Sequence, residues 1–186
     1  MSDGKSSDVI GEYMALDTIT GVSNRDLKNH PGRVMSLSAI MSDVTLRSVT
    51  KQPVSAVRIG EGLSIEVKFS GASKPVSPVL GMVIKSSQGI SLFTVNNRFI
   101  GGYEFSESVT EGIITCHFET LPLMPGMYFL DLYFGDQYHD LDIIYEATSF
   151  EVTPGDVFGT GKLPPPAGGS LIWNATWDLR TGGAFR

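Results

Sequence analysis

Two strand-like segments meeting at a corner bracketed by two prolines constrain this chain more than any other feature. Between Ile113 and Val152 the sequence runs ITCHFET, LPLMPG, MYFLDLYFG, then an acidic and aromatic loop, then ATSFEV. Apolar residues alternate with polar ones on both sides of the corner, which is the period of a half-buried strand. Pro122 and Pro125 fix φ and donate no backbone hydrogen bond, and Gly126 tolerates angles that other residues avoid. The pattern predicts a hairpin-like unit with a sharp corner.

The same period recurs along the chain. Met35, Leu37, Ala39 and Met41 alternate with serines, and Leu63, Ile65, Val67 and Phe69 alternate with Ser64, Glu66 and Lys68. Leu80, Met82 and Ile84 follow, then Ile90 to Val95, Ile114 to Phe118, Tyr128 to Phe134, and Phe150 with Val152. Glycine and proline punctuate the intervals at Gly60, Gly62, Gly71, Pro75, Pro78, Gly89, Gly101, Gly102 and Gly112. Many short strands, frequent turn residues and no interior helix predict an all-β fold, an antiparallel β-sandwich, over residues 34–153. A barrel fits less well.

Residues 1–33 read as a polar tail, a short helix and a linker, the helix marked by Val9, Ile10, Tyr13 and Met14 at i, i+1, i+4 and i+5. Residues 154–169 read as a Pro/Gly linker. It delivers residues 170–186, where Leu171, Trp173 and Trp177 share one face of a last strand. Such a strand pairs with its own sheet or is exchanged with a second copy.

Composition excludes several functions. With 14 basic and 20 acidic residues in 186, the net charge is −6, the wrong sign for a nucleic-acid backbone or an anionic membrane surface. The lone Cys116 cannot form an internal disulfide and fits a reducing compartment. No apolar run is long enough to span a membrane, and the first residues lack the apolar core of a signal peptide, so a cytoplasmic location is expected.

Signatures of chemistry are sparse. There is no G-x-S-x-G, H-E-x-x-H or C-x-x-C. Gly159 to Lys162 fails as a phosphate loop: Asp156 stands where the first glycine belongs, Leu163 where the hydroxyl belongs, and prolines follow. The loop Asp136 to Asp142 concentrates oxygen ligands without the spacing of a calcium loop, and turn-forming aspartates are the preferred reading. The Asn174 sequon has no consequence outside the secretory route. No catalytic residue, metal or cofactor is expected.

The outward faces of the strands are more informative. Met127, Phe129, Asp131 and Tyr133 face away from the buried set of one strand, and Ile113, Thr115, His117 and Glu119 from another. Aromatic rings mixed with carboxylate and imidazole suit a sugar, whose C–H faces stack on rings and whose hydroxyls take paired hydrogen bonds. Asn97, Arg98, Tyr103, Gln137, Tyr138 and His139, with Asn96, add candidate contacts in neighbouring loops. For any one of these residues, ordinary cross-strand pairing or a second packed layer is the preferred reading.

The order of motifs resembles the C-terminal domain of the ATP-binding subunit, Wzt type, of bacterial O-antigen polysaccharide ABC exporters. The resemblance rests on GLSIEVKF at 62–69, VLGMVI at 79–84, GISLFTVNN at 89–97, the stretch from Gly112 through LPLMPGMYFL to Leu130, and ATSFEV at 147–152. It implies a non-catalytic carbohydrate-binding module with an immunoglobulin-like or jelly-roll sandwich, dimerised by exchange of the C-terminal strand. It further implies recognition of the non-reducing end of an O-antigen glycan at the cytoplasmic face of the inner membrane. The partners would be the nucleotide-binding domain and the membrane subunit of the exporter. Two alternatives stay open: an interaction module that binds no glycan, and a glycan hydrolase using Asp131 with Glu119 or Asp136.

Overall fold

The computed structural model describes residues 24–72, 76–99, 105, 108–165, 168–173 and 175–177. Nine strands form two sheets, among the described residues. The first sheet has the order β1-β2-β4-β7, built from β1 (Asn24–Asp26), β2 (Met41–Ser48), β4 (Leu63–Phe69) and β7 (Gly112–Phe118). The second has the order β3-β9-β8-β5-β6, built from β3 (Ala56–Arg58), β5 (Val79–Ser86), β6 (Ser91–Asn96), β8 (Gly126–Gly135) and β9 (Asp140–Thr153). All pairings are antiparallel except β3 with β9. The fold class is the expected all-β sandwich.

Alternation explains the core. In β4, Leu63, Ile65, Val67 and Phe69 are buried; in β8, Tyr128, Leu130, Leu132 and Phe134 are. Phe69 and Phe134 meet with ring centroids 4.8 Å apart, joining the two sheets. Each large side chain so buried contributes roughly 1.5–3 kcal/mol.

The proline corner does not make a hairpin. β7 belongs to the first sheet and β8 to the second, so Leu121–Pro125 crosses between sheets. Leu121, Leu123 and Met124 are buried there, because the crossing segment passes over the core and must cover it. The Tyr128 hydroxyl donates to the Met124 carbonyl at 2.6 Å, a tyrosine corner that holds the crossing in shape.

Three further expectations change. Met35–Ile40 forms no strand; β2 begins at Met41 and carries a bulge at Ser42. Residues 24–33, expected as linker, belong to the sandwich: β1 pairs with β2, Leu27 is fully buried, and Arg33 bridges to Ile144. There, Arg33 pairs with the buried Asp142 carboxylate, which also accepts the Ile40 and Met41 N–H groups at 2.8 and 2.7 Å. The expected last strand reduces, among the described residues, to one bridge between Leu123 and Leu171. The helix expected at Val9–Met14 lies outside the described residues.

Candidate functional site

The structure divides the sequence-derived candidates between two faces. His117 lies on the outer face of the first sheet, opposite Ser64, whose hydroxyl is 2.8 Å from its Nδ1. Tyr133 and Asp131 lie on the outer face of the second sheet. His117 and Tyr133 therefore do not share a surface, because β7 and β8 are in opposite sheets. Tyr103 lies outside the described residues.

Asp131 occupies the outward register yet is buried, with 3% exposure. Its neighbours in space cover it. The Lys85 ammonium sits 3.0 Å from Oδ2, and the Glu146 N–H donates to Oδ1 at 2.7 Å. Between Leu130 and Leu132, one residue of β8 faces three of β9, and Glu146 takes up the excess with φ at 52°. Asp131 thus holds a bulge. As a direct sugar contact it is corrected to a structural role, since both carboxylate oxygens face protein donors and almost no surface remains for a ligand.

Tyr133 sits beside this ion pair. Its ring meets Tyr145 edge to face, with centroids 6.2 Å apart, and Tyr145 is 46% exposed. Burial, then the charges of Asp131, Tyr145 and Asp140, raise the Tyr133 phenol above its ordinary value, so it is a neutral donor at neutral pH. Across β5, Gly81 separates Tyr133 from Asn96 in one row of the sheet. A Cβ at Gly81 would stand 3.5 Å from Tyr133 Cβ and 3.3 Å from Asn96 Nδ2, so glycine keeps this row low. Tyr145 escaped sequence reasoning because the β9 bulge breaks the alternation that would have marked it.

The remaining candidates gather at the adjoining end of the second sheet. The turn Asp136–His139 joins β8 to β9, and Arg98 follows β6 nearby, its Nη1 donating to the Gln137 carbonyl at 2.6 Å. Asp136 Oδ1 accepts the N–H groups of Tyr138 and His139, which hold its carboxyl below the ordinary value and fix the turn. The Tyr138 ring is 83% exposed, and its centroid is 6.4 Å from that of His139. Asn97 faces inward instead: its Oδ1 accepts the Leu80 N–H at 2.7 Å, tying β6 to β5. The gap lined by Val79, Asn97, Arg98, Phe105 and Gln137 is about 10 Å³, room for one water at most. The corner is an open surface with rings and donors at its edge. Among the described residues, no group of three or more His, Cys, Asp or Glu side chains could hold a metal ion.

The fold and this corner define a two-sheet all-β sandwich domain with an open aromatic surface on one sheet, and comparison with known proteins gives the family. The family model for the Wzt C-terminal domain matches residues 32–163, most of the chain. The chain therefore belongs to the Wzt C-terminal domain family, which places it in the setting of an O-antigen ABC exporter. A crystal structure of the C-terminal domain of wzt is similar, with TM-score 0.60 and 16% identity over 86% of this chain and 90% of that one; this likeness speaks for the fold. A CARDB domain from Pyrococcus furiosus in complex with di-metal ions (TM-score 0.31, 14% identity, 62% of this chain and 90% of that one) is more distant. So is a chitin binding domain from Burkholderia pseudomallei (TM-score 0.34, 15% identity, 59% and 61%). No curated protein matches the chain.

Proposed function

We propose that this domain binds the non-reducing end of an O-antigen polysaccharide and performs no chemistry, giving an ABC exporter its substrate recognition at the cytoplasmic face of the inner membrane. The observation that carries the reading is the Tyr133–Tyr145 ring pair on the open outer face of the second sheet, beside the Tyr138–His139 turn. Rings at different tilts present both a stacking plane and an edge to a pyranose, and Arg98, Gln137, His139 and Asn96 stand at the rim to meet hydroxyls. Such a shallow wet surface desolvates few groups, so affinity is set in the micromolar to millimolar range.

The hydrolase alternative loses its support. Asp131 is buried against Lys85, and Glu119 follows a strand of the opposite sheet. Exchange of the C-terminal segment in a homodimer remains part of the proposal. It is supported by Trp173 and Trp177, which are 85% and 94% exposed on a segment held to the domain near Leu123 and Met124. Titration of the purified domain with its own glycan tests the reading. Tyr133→Ala and Tyr145→Ala should each weaken binding by about tenfold at unchanged circular dichroism, the upper end of the roughly 0.5–1.5 kcal/mol that ring contacts are worth. Full affinity in the double variant would remove the proposed surface.

A further inference from the structure

The outer face of the first sheet carries a hollow of about 210 Å³ that the corner does not use. Its floor is Thr45, a short side chain only 9% exposed. The walls are longer: Asn24 opposes Thr45 on one side and Glu66 on the other, with Arg47, Asp43 and Lys68 flanking them. A short residue ringed by long ones makes the depression, and Ile113, 62% exposed, closes one side.

We propose that this hollow is a second saccharide site, taking a single uncharged pyranose ring; the inference rests on the reading of the domain as a glycan binder. Size limits the occupant. The hollow is smaller than the roughly 300 Å³ at which clefts for drug-sized ligands begin, so it admits one ring rather than a chain. Charge selects its class. Asp43 and Glu66 balance Arg47 and Lys68, leaving no net field to attract an anionic cap.

The chemistry matches a polyol. Strands about 4.8 Å apart set amide, hydroxyl and carboxylate side by side in the row Asn24, Thr45, Glu66, so adjacent hydroxyls meet both donors and acceptors. Ile113 offers an apolar patch to the C–H face of the ring. Several groups are already held in place. Arg47 Nε donates to Glu66 Oε2 at 2.5 Å, and its Nη1 donates to the Lys51 carbonyl at 3.2 Å. The β2 bulge brings Ser42 to donate to Asp43 Oδ2 at 2.7 Å. Walls fixed before binding lose little side-chain freedom when a ligand arrives.

The test is amide-shift mapping by NMR, titrating the domain with methyl pyranosides of neutral sugars, with methyl glucuronide, and with its own glycan. The expected result is saturable shifts at Asn24, Thr45 and Glu66 with neutral pyranosides, and weaker binding of the glucuronide. Thr45→Gln, which fills the hollow, and Glu66→Gln, which removes the carboxylate at constant shape, should each cost about tenfold in affinity. Shifts confined to the Tyr133–Tyr145 corner, or unchanged affinity in both variants, would overturn the second site and leave the glycan-binding reading standing. Tighter binding of the glucuronide would overturn its neutral specificity. Failure of every saccharide to shift any residue would overturn both.

Discussion

Asp131 accepts the Glu146 N–H at 2.7 Å across the register shift between Leu130 and Leu132, where β8 and β9 bulge, while Lys85 neutralises it at 3.0 Å. A carboxylate that looks outward in the strand pattern is in fact the anchor of a bulge. The bulge lies at Tyr145, the ring that meets Tyr133, so Asp131 sets where that ring pair sits on the outer face.

Removing that anchor should be costly. Asp131→Ala leaves Lys85 with Glu146 alone, 4.0 Å away, and leaves the half-buried Glu146 N–H without its acceptor. We expect a loss of about 3 kcal/mol in urea unfolding, and a smaller loss for Asp131→Asn, which keeps an acceptor. Equal stability of all three proteins would contradict the assignment.

Glu146 itself is strained by its left-handed φ of 52°. Glu146→Gly and Glu146→Ala remove the same carboxylate and differ only in the backbone. The glycine variant should be the more stable of the two by about 1 kcal/mol. Thermal unfolding of the pair measures the difference directly.

The tyrosine corner predicts a modest effect. Tyr128→Phe deletes the hydroxyl that donates to the Met124 carbonyl and keeps the ring against Phe150, 5.8 Å between centroids. Urea unfolding should show a loss of about 1 kcal/mol with the fold unchanged. No loss at all would mean that the hydroxyl does not hold the crossing between the sheets.

His30 gives the domain a pH dependence. Burial first, then the charges of Arg25 and Arg33, lower its pKa from 6.5 to about 4, and its Nδ1 accepts the Gly32 N–H at 3.1 Å. The folded state keeps the imidazole neutral where the unfolded chain binds a proton. Stability from this group is therefore complete above pH 6.5 and is lost as pH falls towards 4, by on the order of 2 kcal/mol. His30→Asn keeps an acceptor for Gly32 and cannot titrate. Its unfolding free energy should be flatter between those pH values, and a curve parallel to the native one would refute the assignment.

Legibility in the sequence followed the locality of the physics. β4, β5, β7 and β8 were readable because an unbroken alternation of apolar and polar residues is a local signal. β1 is three polar-rich residues with no period, and β2 hides its period behind the Ser42 bulge. In β9 the bulge at Tyr145–Ala147 breaks the alternation in the middle, so only the stretch ending in Phe150 and Val152 stood out. The period also says which residues point outward without saying from which sheet. That is why His117 and Tyr133 looked like one surface and lie on two. Asp131 was misleading for the same reason, since Lys85 covers it from a strand 46 residues away in the chain. The corner at Arg98, Gln137, Tyr138 and His139 was legible as loop chemistry, and the Arg98–Gln137 contact gives it a fixed shape.

The most direct measurement is saturation-transfer NMR of the purified domain with the O-polysaccharide of its own source, set against an unrelated polysaccharide. The account predicts transfer to the terminal sugars of the first and none to the second, reduced in Tyr133→Ala. No transfer from the native domain at millimolar glycan, or equal transfer to both polysaccharides, would contradict it.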